Sequence, residues 1–96
     1  MNWAQRAIDD LLDGKETTII PHGGSMKGLV ESGERVELRP AAENDLKTGA
    51  IVLVRCKGNI YLHLIKAVQG DRFLIGNNRG GINGWVGRKA IYGVKK

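Results

Sequence analysis

Absences set the first limits on this chain of 96 residues. It holds one cysteine, Cys56, which excludes an intrachain disulfide and suits a reducing cytoplasm. A lone cysteine in an apolar run reads as a core thiol. One cysteine and two histidines without ligand spacing make no metal site, and no cofactor is implied. No apolar run is long enough to span a membrane. Asp9, Asp10 and Asp13 interrupt any signal-peptide pattern. The formal net charge is +5, yet the basic residues are scattered and only Lys95-Lys96 forms a run. The charge therefore reads mainly as solubility, and a nucleic-acid surface is not the favoured reading. Two Trp, two Tyr and one Phe leave little for base stacking. There are no internal repeats and no linker, so residues 1–96 read as one domain with a single thin core.

What the chain has in excess is glycine, fourteen in all, among short runs of Val, Ile and Leu. That composition points to strands and tight turns, with one helix at the amino end. Trp3, Ala7, Ile8, Leu11 and Leu12 fall near one face of a helix over 3–13, with Asn2 as its cap and Gly14 as its stop. β-branched residues 17–20 predict a strand. Val36 and Leu38 alternate with charged residues in a half-buried strand that Pro40 should end. Ile51-Val52-Leu53-Val54 reads as a buried central strand. Lys57-Gly58-Asn59 is a hairpin signal leading into a return strand over 60–68. Residues 73–75 form a further strand. Residues 76–85 are too glycine-rich for regular structure, and 90–94 finish the chain as a short edge strand. That edge leaves room for a homodimer.

Two stretches carry candidate chemistry. In Pro21-His22-Gly23-Gly24-Ser25-Met26-Lys27-Gly28, glycines surround one serine on a tight, exposed turn. Such a serine has a free hydroxyl beside backbone N–H groups, which suits a nucleophile next to an oxyanion hole. Taken alone, the run is a loop between strands. The second stretch is Tyr61-Leu62-His63-Leu64-Ile65-Lys66. Strand alternation puts Leu62 and Leu64 on one face and Tyr61, His63 and Ile65 on the other, with Lys66 on the leucine side. That parity makes His63, not Lys66, the candidate base for Ser25. Its ordinary pKa near neutrality suits the task, whereas a lysine must be desolvated first. The plainer reading of His63 is a half-buried strand residue with a satisfied hydrogen bond.

These stretches together resemble the signal peptidase and LexA-like serine peptidase superfamily. Gly24-Ser25-Met26-Lys27 is similar to its nucleophile region, and Leu46–Val52 to a later Gly-Asp-Ile-Val strand. Leu62-His63-Leu64-Ile65 is similar to its base-bearing strand, which holds histidine in the eukaryotic and archaeal type. Gly76-Asn77-Asn78 resembles its Gly-Asp-Asn box. Ala50 and Asn77 stand where the family often has aspartate. The resemblance spans roughly residues 16–94. It implies a mainly β, coiled-sheet fold and peptide-bond hydrolysis by Ser25 with His63 as general base. The backbone at Ser25 and Met26 would form the oxyanion hole. In histidine-type members a downstream acid orients the base, and Asn83 is its nearest counterpart here. Asn77, Asn78, Arg79 and Asn83 are the candidates for orienting the base or lining the cleft. The implied partner is a peptide or protein substrate bound as an extended strand. Two other readings stay open: an inactive peptide- or protein-binding module of the same fold, and a basic nucleic-acid-binding β domain.

Overall fold

The structure, a computed structural model, describes residues 3–96. The expected cap at Asn2 lies outside the described residues. Helix α1 is Gln5–Leu12. The strands are β1 Thr17–Ile19, β2 Val36–Pro40, β3 Ile51–Cys56, β4 Asn59–Gln69, β5 Arg72–Gly76, β6 Ile82–Gly87 and β7 Ile91–Lys95. All seven join in one open antiparallel sheet, in the order β1-β2-β7-β3-β4-β5-β6. No helix among the described residues is long and apolar enough to cross a membrane.

Helix α1 buries Ala7, Ile8 and Leu11, and Ala4, just before its first residue, is buried with them. Those positions follow the i, i+3, i+4, i+7 stripe of a 3.6-residue helix. The stripe begins at Ala4, so Trp3 and Leu12, expected on the same face, fall outside it and are exposed. Leu11 lands on β7 at Gly93. A Cβ on Gly93 would meet the Arg39 carbonyl at 2.8 Å and Leu11 Cδ1 at 2.8 Å. Glycine is what lets the helix settle onto the sheet there.

The sheet packs on both faces, which corrects the expectation of a single core. On the helix side, Ile19, Val36, Leu38, Leu53, Leu62 and Leu64 join the apolar face of α1. On the other side, Val52, Val54, Ile65, Phe73, Ile75 and Val94 form a second cluster. β3 and β4 supply both clusters by alternation: Leu53 pairs with Leu62 across the hairpin and Val52 pairs with His63. Cys56 is a free thiol buried in the second cluster.

Two local expectations are corrected. β7 is not an edge strand; it lies between β2 and β3. Pro40 is the last residue of β2, where the sequence places the strand's end, and it pairs with Gly93. The glycine-rich segment is not wholly irregular, because Ile82–Gly87 forms β6 against β5. A bulge in that pairing hides its period. Gly84 stands opposite Ile75 and Ile82 opposite Gly76, which leaves Asn83 as the extra residue.

Candidate functional site

The geometry around Ser25 begins with a loop pinned at its base. The Gly33 N–H donates to the Pro21 carbonyl at 2.8 Å, and the Gly23 N–H to Ser32 Oγ at 3.0 Å. Glu31 Oε2 accepts the Gly28 N–H at 2.9 Å. Gly28 has φ +98°, a left-handed backbone that favours glycine. Met26 and Val30 are buried beneath the serine, and the Val30 N–H closes a turn onto the Met26 carbonyl at 2.8 Å. The loop is thus an ordered platform with Ser25 at its crest.

β4 supplies the second group. Its Leu64–Gln69 half pairs with β5, while Asn59–His63 pairs only with β3. The outer edge of that first half therefore has no strand partner among the described residues. The Ser25 loop comes over this edge, and Ser25 Oγ stands 3.1 Å from His63 Nε2. His63 is only 6% exposed. Tyr61, two residues earlier on the same face, stacks on its ring with centroids 4.7 Å apart and planes 22° from parallel.

The third group comes from β6. His63 Nδ1 donates to Asn83 Oδ1 at 2.7 Å. An amide oxygen can only accept, so Nδ1 carries the proton and Nε2 presents its lone pair. The Ser25 hydroxyl then donates to Nε2. Burial pushes the His63 pKa below its ordinary value, and the Asn83 hydrogen bond opposes that shift in part. The imidazole is therefore neutral at neutral pH and able to take a proton.

The turn after β5 clamps the Ser25 loop from the side. The Asn78 N–H donates to the Ser25 carbonyl at 2.9 Å, and Asn78 Nδ2 donates to the Lys27 carbonyl at 2.8 Å. Because a trans peptide sets C=O and N–H in opposite directions, the Met26 N–H points away from Asn78. No hydrogen bond among the described residues uses the Ser25 or Met26 N–H. Asn77 does a different job. Its Oδ1 accepts the N–H groups of Arg79 and Gly81, both at 2.8 Å, so its side chain is spent inside the turn. Arg79 Nη1 sits beside Gly24, 3.6 Å from where a Cβ there would be.

Lys66 is the extra residue of a second bulge, since Ile65 pairs with Ile75 and Ala67 with Leu74. Its Nζ donates to the Asn77 carbonyl at 2.9 Å and ties the clamp to β4. Trp3 and Ile20, which the sequence presents only as a helix-face and a strand residue, line the recess beside Ser25. Their exposure follows from tertiary placement, which no local pattern signals. Among the described residues no cluster of three His, Cys, Asp or Glu is arranged to hold a metal ion. Chemically, the arrangement can move a hydroxyl proton onto a buried, oriented imidazole beside two unused N–H donors. No protein-family model, curated protein or solved structure matches this chain.

Proposed function

We propose that this chain is a serine peptidase-like domain of the signal peptidase and LexA-like type, with Ser25 as nucleophile, His63 as general base and Asn83 orienting the base. One observation carries the reading: the continuous line from Ser25 Oγ to His63 Nε2 at 3.1 Å and from His63 Nδ1 to Asn83 Oδ1 at 2.7 Å. Both separations lie in the range needed for proton transfer and for holding a tautomer. A Ser-His-Asn line has the same logic as Cys-His-Asn sites, in which an amide takes the place of the acid.

In the first step Ser25 Oγ attacks the substrate carbonyl and its proton passes to His63 Nε2. The Ser25 and Met26 N–H groups hold the oxyanion. Collapse breaks the C–N bond, and Nε2 returns the proton to the leaving amine. Water then attacks the acyl-serine and loses a proton to Nε2; the acyl C–Oγ bond breaks, Nε2 returns the proton to Ser25 Oγ, and the carboxylic acid leaves. The imidazolium formed on the way lacks a carboxylate partner. Asn83 orients it but stabilises its charge less than aspartate would.

The substrate is proposed to lie as an extended strand along Asn59–His63, the half of β4 with an unpaired outer edge. An uncoupled thiol at Cys56 suits work in a reducing compartment. The test is labelling with a fluorophosphonate, which carries no peptide side chain, followed by peptide mapping. Adduct on Ser25, absent in His63→Ala, is the expected result. An unmodified Ser25 after prolonged exposure would sink the proposal and leave a binding module in its place.

A further inference from the structure

Beside the serine lies a recess of about 310 Å³. Its floor is Met26, Val30 and Leu62, all buried, and its rim is Trp3 and Ile20, each about half exposed at 52% and 50%. Ser25 and His63 themselves form part of the wall. A recess of this size is at the small end of ligand pockets and holds the volume of about ten waters. An alanine methyl would leave most of it to water against apolar walls. A larger apolar side chain would displace that water and cover Trp3 and Ile20.

The strand edge says how such a side chain arrives. A peptide laid along Asn59–His63 sends alternate side chains to opposite faces, so one residue enters the recess while its neighbours turn away. Since the recess wall includes the reacting hydroxyl, that residue is the one next to the bond under attack. Glu31 also lines the recess, but its Oε2 is held by the Gly28 N–H at 2.9 Å.

We infer that the recess is the specificity subsite of this site, that it selects a bulky aliphatic or aromatic side chain at the residue next to the scissile bond, and that Trp3 and Ile20 set its size. This rests on Ser25 being the nucleophile. Trp3 precedes α1 in the chain, so the amino-terminal segment contributes to selection as well as covering the sheet.

The test uses four peptidyl diphenyl phosphonates with alanine, leucine, phenylalanine or lysine side chains next to phosphorus. In each, the Ser25 Oγ–P bond forms, one P–O bond to phenoxide breaks, and His63 passes the serine proton to the leaving phenol. Intact mass reads the rate of adduct formation. The leucine and phenylalanine reagents should react at least about tenfold faster than the alanine reagent. Ile20→Trp, a change at an exposed rim that spares the core, should remove that advantage, and Trp3→Ala should reduce it. Equal rates for alanine and leucine, a faster lysine reagent, or a ratio unchanged in both variants would overturn the inference.

The fluorophosphonate separates the two levels. If it labels Ser25 while the phosphonates do not discriminate, the subsite falls and the nucleophile stands. If it fails to label, the nucleophile falls, and the recess is judged on Ser25→Ala by NMR with acetyl-leucine amide and acetyl-alanine amide. A Trp3 indole shift with the leucine ligand alone would support an apolar binding recess. No shift with either would overturn it too.

Discussion

The two halves of β4 share one backbone and one alternation, yet they do opposite things. Residues 64–69 pair with β5, Leu64 alone meeting β3 as well, and put Ile65, wholly buried, against Ile75. Residues 59–63 have β3 on one side and an open edge on the other. There the strand carries His63, the one buried polar residue among the described side chains. At Leu64 and Ile65, backbone partners on both sides and burial in the core hold the strand in place. One missing neighbour leaves room for a loop, a recess and a ligand. The difference between halves is set by where β5 stops, not by the composition of β4 itself.

That contrast can be broken most sharply at the chemistry. Under the proposed function, Ser25→Ala or His63→Ala should cut kcat/KM by about 10⁴-fold or more, measured by peptide hydrolysis. Ser25→Ala, which removes a single oxygen, should move Tm by no more than a few degrees, whereas His63→Ala also empties a buried ring site and should lower it further. The opposite outcome belongs to the paired half. Ile65→Ala should cost about 3 kcal/mol of stability, on the order of 15 °C in Tm. Its kcat/KM at low temperature should stay within about twofold of the parent. If Ile65→Ala instead abolished turnover in a folded protein, the two halves would not be separable.

Smaller effects sharpen the picture. Asn83→Ala should lower kcat/KM by about 10²-fold, since the imidazole loses its fixed tautomer. The pH dependence gives a second readout. Burial holds the His63 pKa below its usual 6.5, so the acid limb of kcat/KM should lie below that value. Asn83→Asp puts an anion against Nδ1 and should move the limb upward. The same burial makes the unfolded chain bind the proton more tightly. Stability from this group is therefore full above the unfolded value near 6.5 and is lost as pH falls towards the lower folded pKa. A pH series of urea midpoints for the parent and His63→Gln reads that difference. Smallest of all, Asn78→Ala removes one hydrogen bond from the clamp and should cost about tenfold in kcat with KM little changed.

Local pattern made much of the sheet legible. The alternation at Val36 and Leu38, the continuous run at Ile51–Val54 and the Lys57-Gly58 turn each signal their element, and the structure has strands there. β6 was hidden because a bulge at Asn83 and the glycines around it erase any period of two. The central place of β7 was hidden for another reason. Its pattern is that of a short strand, and which neighbours it finds is decided by α1 pressing on Gly93 and by β2 arriving from far away in sequence. At the site, a serine among glycines and a histidine on a strand can be picked out locally. Asn83 could be named only through its order in a family resemblance, because its contact with His63 arises from the curl of the sheet.

The position of β7 also bears on how the protein comes into being. It is the last of the seven strands to be synthesised, yet it is the piece that joins β1 and β2 to the rest. Until residues 91–95 have left the ribosome, the Ser25 loop hangs from an orphaned two-stranded ribbon while His63 waits in a four-stranded one. Such a ribbon is too small to hold itself in water. The two groups should therefore meet only after β7 has slotted in between β2 and β3.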